Sequence, residues 1–523
     1  MTRWAMGWTG IAALILISQA CSDTKEGQVM GNPNGNTPVL TPEQIAACLP
    51  GAVATDSTDS DADGLTDEEE TTNYGTAVNQ PDTDGDGVTD FGEIGIGTNP
   101  LDPNSTINDR DFFVVLPFEE APQERKLRFS TNIKIADVYF LVDATSSMQP
   151  AITNVRTSLA TIAAQVGSQI PDVEMGVGYF QDFPFTARDP RTVAVDPTFP
   201  YGSLIPYGAA GDVPYANVRT MTSDLATELP QVQQALAGIT IGDGGYTPES
   251  QVEALYQVAS GLGGSWTSNY NQSTFSLAAR NCPANTRGYP CFRQEAVPIV
   301  VMVTDGPWHN GTYPLLSYTD ITPLPRSFTQ TRDALNAIGA RLITVLVSDH
   351  PKAYPAQGRV DAEAMANATG TKDAAGTPLV YTAPAGQVSN NIVTGIQTLA
   401  GNVPQEVGTS TVNGSGNPDD FDARQFITSV TPFEGYAANG SAGQGYQSKD
   451  AAKFYGVLPN SQVEFAVDFQ NNVLRHDVRA KIFRAQIQVV GPGGAVLDTR
   501  TAYIVVPPCN DPNFSSPAPG TLI

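Results

Sequence analysis

The chain has 523 residues, of which 41% are hydrophobic and 16% are charged, so it holds enough apolar material for more than one buried core. Its formal net charge is −26, from 54 acidic and 28 basic residues. A surface of that sign repels the phosphates of nucleic acid, which argues against nucleic-acid binding. Only three His occur, which leaves little material for zinc or general-base chemistry.

The first 21 residues predict an export signal. Arg3 is followed by a short apolar stretch at 11–17 and by small residues at 18–20, directly before Cys21. The apolar stretch is too short to span a bilayer as a stable anchor. One interpretation is an ordinary secretory signal cut after Ala20. The segment also resembles a bacterial lipoprotein signal, which implies a lipid on Cys21 and a place in the cell envelope, at the outer membrane of a Gram-negative bacterium or at the cell surface.

The number of cysteines favours lipidation of Cys21. If Cys21 carries a lipid, four of the five cysteines remain, and this even number suits disulfides in an oxidising compartment. The short separation of Cys282 and Cys291 predicts a local bridge. By elimination, Cys48 then pairs with Cys509.

Composition and hydrophobic patterning divide the rest of the chain into five segments. They are a flexible linker at 22–55, an acidic repeat at 56–104, an α/β domain at 105–405 with insertions at 183–222 and 263–296, a β-domain at 406–508, and a disordered Pro/Ser tail at 509–523. The β-domain shows strictly alternating apolar residues, as at Val463, Phe465 and Val467, which predicts an antiparallel β-sandwich. We expect no chemistry from it.

The acidic segment repeats with a period of 23 residues, and both copies match the calcium-loop pattern D-x-D-x-D-G-x5-E. Carboxylates at positions 1, 3, 5 and 12 surround a hard cation, and position 7 offers its backbone carbonyl. With the Asp at position 9, the predicted calcium residues are Asp59, Asp61, Asp63, Leu65, Asp67 and Glu70, and then Asp82, Asp84, Asp86, Val88, Asp90 and Glu93. Residues 71–81 are too few for the helix pair of an EF-hand. The segment instead resembles thrombospondin type 3 calcium repeats, which implies a compact calcium-wrapped rod with little hydrophobic core.

Strands that alternate with helices from residue 137 onward predict a doubly wound α/β sheet. Residues 138–142 form an unbroken apolar run, typical of a central parallel strand. Further strands are predicted at 175–179, 297–303, 342–347 and 379–381, and helices at 152–166, before Gly370 and at 392–399.

Oxygen-bearing side chains gather where such a sheet binds its ligands, at the carboxyl ends of the strands. Asp143, Thr145 and Ser147 follow the first strand, Thr247 and Glu249 lie in a Gly-rich loop, and Asp305 follows a later strand. Each Asp, Thr or Ser of this set, taken alone, is equally typical of a helix N-cap. Together they form an all-oxygen set without Cys or His, which predicts a Mg²⁺ or Mn²⁺ site.

This arrangement resembles the von Willebrand factor type A domain and its metal-ion-dependent adhesion site, over about residues 130–402. Asp143-x-Thr145-x-Ser147 is similar to the family's D-x-S-x-S signature, with Thr in place of the first Ser. Thr247 is similar to the loop threonine and Asp305 to the later aspartate. Within the family the chain most resembles the integrin β I-like branch, where the glutamate after Pro contributes to the metal site, so Glu249 is a second candidate beside Thr247. Gln149 and Pro150 replace the acidic pair of an adjacent integrin cation, and that second site is not expected.

Two loops rich in aromatic residues, 183–222 and 306–327, are expected to rim the metal because both start at carboxyl ends of strands. Their aromatic side chains are either anchors for a partner or the small core of each loop. The insertion at 263–296 precedes a strand, and we expect it at the opposite edge of the sheet.

The favoured function is a non-enzymatic, envelope-anchored adhesion or protein-binding module whose metal takes a carboxylate from a protein partner. A scaffold or assembly factor for other envelope or secreted proteins would use the same site. A metal-dependent hydrolase is disfavoured, because the sequence shows no nucleophile–base pair and no basic clamp for a substrate.

Overall fold

The computed structural model describes residues 58–508, apart from 109, 189–203, 223, 246, 350–354 and 478. The predicted signal, linker and tail lie outside the described residues, as do Cys21, Cys48 and Cys509. Within the described part, no helix is both long and apolar enough to cross a bilayer.

A six-stranded sheet forms the centre of the α/β domain. Five of its strands are parallel, and the sixth is an antiparallel edge strand. From edge to edge the strands are Val380–Ala383, Arg341–Val347, Val297–Thr304, Ile135–Asp143, Asp172–Phe180 and Ala216–Arg219. The five parallel strands are the five predicted from the sequence.

Helices cover both faces of this sheet. Phe140 and Val142 of the central strand pack with Val155 of the first helix, whereas Tyr139 and Leu141 pack with Val252 on the opposite face. The main helices are Gln149–Gly167, Leu225–Ala237, Gln251–Ser260, Phe328–Ala337, Pro355–Ala368 and Val388–Asn402. The doubly wound α/β prediction is therefore confirmed.

The β-domain consists of two sheets in contact with each other. One contains, in spatial order, Phe112–Val115, Val496–Val506, Lys481–Val490, Gln405–Asn413, Phe454–Val457 and Ser448–Lys449. The other contains Ile427–Tyr436, Gln462–Phe469 and Gln123–Ser130. The rings of Phe454 and Phe465, one from each sheet, meet edge to face with centroids 5.3 Å apart.

The boundary predicted at residue 105 is wrong. Strand Phe112–Val115 pairs with Val496–Val506, and strand Gln123–Ser130 pairs with Gln462–Phe469, so residues 112–130 belong to the β-domain. Leu127 and Phe129, each 1% exposed, face the core of that domain. The α/β domain is therefore inserted between strands of the β-domain, and both chain connections lie at the amino edge of the parallel sheet.

The insertion at 263–296 reaches both edges of the parallel sheet, so its predicted place is wrong in part. Its hairpin, Gly264–Ser268 with Thr274–Leu277, pairs with Ile321–Thr322 of the loop that follows Asp305. The later part stays at the amino edge, where Arg293 forms ion pairs with Asp137 and Asp172. The hairpin reaches the loop side because Trp266 is buried among that side's aromatic residues.

The acidic repeat packs against the β-domain. A helical segment begins at position 9 of each loop, at Asp67–Glu69 with Glu70–Tyr74 and at Asp90–Ile96. Val88, 6% exposed, clusters with Phe113 and Val505 of the β-domain. Arg479 pairs with Glu69, and Arg484 donates a hydrogen bond to the carbonyl of Gly95. The repeat therefore gains an apolar contact that its own sequence does not supply.

Candidate metal sites

The first strand ends in a fully buried carboxylate that is surrounded by hydroxyl groups. Thr145 donates to Oδ1 of Asp143 from its backbone N–H at 3.0 Å and from its Oγ1 at 2.8 Å. Oγ of Ser147 lies 3.4 Å from Oγ1 of Thr145. Asp143, Thr145 and Ser147 thus converge at the carboxyl edge, as their spacing predicts.

The neighbouring strand brings a second acidic residue to the same edge. Val303 pairs with Val142, so Thr304 lies beside Asp143, and its Oγ1 donates to Oδ2 of Asp143 at 2.8 Å. Asp305 follows directly and is 6% exposed. Sequence reasoning missed Thr304, although its position between an apolar strand and Asp305 marks it as a residue of this edge.

The Gly-rich loop approaches the first strand through backbone contacts. Gly242 donates its N–H to the carbonyl of Ala144 at 2.9 Å, and Gly244 has a φ of +64°. A Cβ on Gly244 would lie 3.3 Å from both Oε1 of Glu249 and Cγ2 of Thr145, so these two side chains flank the same glycine.

Of the two loop candidates, Glu249 is the one that the described contacts bring to Thr145. It is 1% exposed, its N–H bonds the carbonyl of Pro307 at 3.2 Å, and its carbonyl accepts from His309 at 2.9 Å. Thr247 is half-buried, and no described contact joins it to the other predicted ligands. The Pro307 and His309 bonds hold the Glu249 segment beside the loop that follows Asp305.

The chemistry of this edge fits a hard divalent cation. Asp143, Glu249 and Asp305 are all buried, and the three segments that carry them, 143–150, 242–251 and 304–311, contain no Lys or Arg. Carboxylate and hydroxyl oxygens are the donors that Mg²⁺ and Mn²⁺ prefer.

The aromatic residues around this edge form a core rather than an exposed surface. The cluster contains Phe183, Phe185, Tyr207, Trp266, Leu316, Tyr318 and Ile321, each at most 4% exposed. His309 stacks on Tyr318 with ring centroids 4.2 Å apart, and its Nε2 lies 3.3 Å from Oδ2 of the buried Asp182. Of the two interpretations left open by the sequence, the loop-core one is correct for these described residues. Tyr201, another aromatic residue of the predicted loop at 183–222, lies outside the described residues.

Each acidic loop gathers its first three aspartates. Carboxylate oxygens of Asp59, Asp61 and Asp63 all lie within 4.8 Å of one another, and so do those of Asp82, Asp84 and Asp86. The glutamates at position 12 are buried, Glu70 at 0% and Glu93 at 1% exposure.

Buried acidic oxygens in both loops fit a bound cation. By geometry, the described residues offer no hydrogen-bond partner to Oδ2 of Asp61, Asp84 and Asp86 or to Oε2 of Glu70. Burial, together with the charges of Asp63 and Asp61, raises the pKa of Asp59 to about 8. Burial, with the charges of Asp61 and Asp63, also raises the pKa of Glu70 to about 8. A divalent cation would relieve both the desolvation and the repulsion.

The aspartates at position 9 differ from the other predicted calcium residues in that both of their carboxylate oxygens accept hydrogen bonds from their own loop. Both oxygens of Asp67 accept hydrogen bonds from Ser60, at 2.9 Å from N and 2.8 Å from Oγ. Asp90 accepts in the same way from Thr83, at 2.9 Å and 2.6 Å. These two carboxylates clamp the second residue of their own loops. Leu65 and Val88 at position 7 are each 6% exposed.

The predicted local disulfide is present. Cys282 and Cys291 are joined by an S–S bond of 2.07 Å. The predicted pair of Cys48 with Cys509 and the predicted lipid on Cys21 fall on residues outside the described part of the chain.

No protein-family model matches the chain, and no curated protein matches its sequence. Solved structures that resemble it in part include a von Willebrand factor type A protein from Catenulispora acidiphila, at 10% identity and a TM-score of 0.31, over 77% of this chain and 73% of that one. The open conformation of the pilus adhesin SpaC from Lactobacillus rhamnosus GG is 13% identical, with a TM-score of 0.29, over 73% of this chain and 45% of that one. Proximal thread matrix protein 1 from the mussel byssus is 13% identical, with a TM-score of 0.27, over 55% of this chain and 51% of that one. Similarities at TM-scores of this size do not assign a function, which has to be inferred from the residues of the chain.

Proposed function

We propose that the chain is an exported, non-enzymatic adhesion or protein-binding protein that holds Mg²⁺ or Mn²⁺ at the carboxyl edge of its α/β sheet. The observation that carries this proposal is the convergence of Asp143, Thr145, Ser147 and Glu249 at that edge. It agrees with the resemblance of the same segments to the adhesion site of von Willebrand factor type A domains and, within them, to the integrin β I-like branch.

The hydrogen bonds of Asp143 suggest which residues bind the ion directly and which support them. Its two oxygens accept from the hydroxyls of Thr145 and Thr304. A hydroxyl that donates its proton to Asp143 keeps its oxygen lone pairs for a cation. Thr145, Ser147 and Glu249 would therefore hold the ion, while Asp143 would orient Thr145, and Asp305 would contribute charge directly or through water. The bound cation would supply an electrophilic position for a carboxylate of a protein partner.

Among the described residues, the position of His309 near the site favours binding over catalysis. Nδ1 of His309 lies 2.6 Å from the carbonyl of Leu316, and its Nε2 faces Asp182. It is 2% exposed, so it serves the packing of its loop rather than proton transfer to a substrate. We therefore propose no hydrolase activity.

The acidic repeat would serve this function as a calcium-stabilised support, in line with its resemblance to thrombospondin type 3 repeats. Calcium in its two loops would fix Glu69, Val88 and Gly95 in the positions from which they contact the β-domain. A lipid on Cys21 would then hold the protein at the envelope, with the α/β domain presented to a partner.

The cation proposal is tested by counting Mn²⁺ ions bound to the purified full chain by electron paramagnetic resonance. Asp143→Ala and Glu249→Gln should each lose one bound Mn²⁺ relative to the parent, because each removes a group from the proposed site. Asp333→Ala is the matched control, since Asp333 is exposed and pairs only with its neighbour Arg332 in the described contacts. Equal stoichiometry in all four proteins would contradict the proposal.

Partner binding is tested with the same variants immobilised and exposed to surface proteins of candidate cells in Mg²⁺. A partner should be captured by the parent and by Asp333→Ala but not by Asp143→Ala. Capture that persists in Asp143→Ala would place the contact elsewhere.

A further inference from the structure

A cleft lies at the amino edge of the α/β sheet, where that domain meets the β-domain. Its volume is about 880 Å³, within the range of small-molecule sites. The α/β wall includes Gly339, Arg341 and Gly370, and the β-domain wall includes Lys453 and the turn at 491–494. Arg341 begins its strand, so the cleft is separated by the length of that strand, about 20 Å, from the carboxyl edge that holds the proposed cation site.

Arg341 is one of the residues that line this cleft. The residue is 8% exposed, and its Nη1 donates to the carbonyls of Thr369 and Gly370, both at 2.8 Å. Gly370 permits this approach, because a Cβ there would lie 2.7 Å from Nη1. Among the described residues, no hydrogen bond or ion pair is recorded from Nε or Nη2. The role of Arg341 in capping the helix that ends at Ala368 therefore accounts for only one of its three nitrogens.

The charge of Arg341 is poorly compensated. Burial lowers its pKa to about 10, and only the charge of Glu406 acts in the opposite direction. Glu406 is itself engaged by Lys453, with 3.3 Å between Oε2 and Nζ. The cleft thus holds two cations and one carboxylate, in a chain whose net charge is −26. A buried guanidinium with an unused fork of N–H groups is a receptor for an oxyanion.

We propose that this cleft binds a small ligand that carries a carboxylate or phosphate group, received by Nε and Nη2 of Arg341. Lys453 on the facing wall supplies the second positive charge. Glycines at 339, 370, 408, 491, 493 and 494 line the cleft without side chains, so a ligand can lie against the backbone there. This site is independent of the cation at the carboxyl edge.

The test is isothermal titration of the purified full chain with malonate and, separately, with inorganic phosphate at low ionic strength. The parent should show saturable binding of one or both anions. Arg341→Lys keeps the charge but removes the fork, and should weaken binding by about tenfold or more, the usual effect of losing a hydrogen bond between charged groups. Lys372→Ala, an exposed lysine outside the cleft, should leave it unchanged. Stronger binding of malonate would assign a carboxylate ligand, and stronger binding of phosphate a phosphate-bearing one.

Two further measurements keep the proposal open to refutation. If Arg341→Lys does not fold, Lys453→Ala decides, because Lys453 is an exposed residue whose loss should weaken binding by roughly threefold and leave the fold intact. Asp143→Ala should bind malonate as the parent does. Loss of binding in Asp143→Ala would place the anion at the carboxyl edge and overturn the proposal. So would equal affinity in the parent and Arg341→Lys, unchanged affinity in Lys453→Ala, or the absence of saturable binding to the parent.

Discussion

Replacing Asp498 with Ala should lower the free energy of unfolding by about 3 kcal/mol, because this buried carboxylate joins three parts of the chain. It is 3% exposed and accepts hydrogen bonds from both terminal nitrogens of Arg110, from Nζ of Lys134 at 2.7 Å and from the N–H of Ser130 at 2.7 Å. These contacts fasten the chain that leads into the α/β domain to strand Val496–Val506.

The magnitude follows from the exposure of the donors. Hydrogen bonds to a charged group contribute about 1.5–3 kcal/mol each, but they are not additive. The side chains of Arg110 and Lys134 remain 37% and 42% exposed, so water replaces much of what they lose in the variant. The estimate of about 3 kcal/mol is therefore about half of the lowest sum for the four bonds, which is about 6 kcal/mol.

The effect should depend on pH in a defined direction. Burial alone would raise the pKa of Asp498, but the hydrogen bonds from Arg110, Lys134 and Ser130 outweigh it and hold the pKa below its ordinary value of 3.8. A lowered pKa in the folded state adds stability that is complete well above 3.8 and is lost as the pH falls through the folded pKa. The difference between parent and variant should thus be constant from pH 7 to pH 5 and shrink below about pH 4.

Urea unfolding followed by tryptophan fluorescence measures this difference, with Asp333→Ala as the control. Asp333 also pairs with an arginine, Arg332, but its side chain is 61% exposed, so no measurable change is expected. A loss of less than about 1 kcal/mol in Asp498→Ala, or a loss that persists undiminished at pH 3, would refute the reasoning.

Two other variants test the remaining structural claims. The double variant Glu70→Gln with Glu93→Gln should lose the calcium binding expected at about 10⁻⁴ to 10⁻³ M, and protease should then cleave residues 58–102 even in the presence of calcium. Calorimetry that shows binding equal to that of the parent would contradict the loop assignment. Arg293→Ala should destabilise the chain by about 3–5 kcal/mol in urea, because it leaves the fully buried Asp137 without its ion pair, and a change below about 1 kcal/mol would show that Asp137 is satisfied otherwise.

The parallel sheet could be predicted because its strands are buried on both faces and therefore show unbroken apolar runs. The edge strand Ala216–Arg219 could not, since all four residues are half-buried and show no periodicity. The sequence pattern predicts the wrong domain for residues 112–130, because their pairing partners lie more than 300 positions later in the chain. Alternation in a strand indicates that one face is buried, but not which sheet buries it.

The candidate site, too, could be predicted from the sequence only in part. Strand ends fix the positions of Asp143 and Asp305, and these can be predicted from the sequence. The choice between Thr247 and Glu249 depends on the path of a loop, which is set by the bond from Gly242 to Ala144 and by the left-handed backbone of Gly244. The aromatic cluster was also ambiguous, because a long loop with its own core and an exposed docking surface have the same composition.

The two connections of the α/β domain have a mechanical consequence. One crosses at about 131–134 and the other at 403–404, and they are fastened to each other by the bond from Nε2 of Gln405 to the carbonyl of Thr131, at 2.9 Å. A domain joined by one crossing can swivel about any axis, whereas two adjacent crossings leave it a single hinge axis. Tension applied at the carboxyl edge would be shared between two strands, Gln123–Ser130 and Gln405–Asn413, that lie in different sheets. Neither strand can separate from its sheet alone while the other stays paired. A force on the carboxyl edge of the α/β domain is therefore carried by both sheets of the β-domain together.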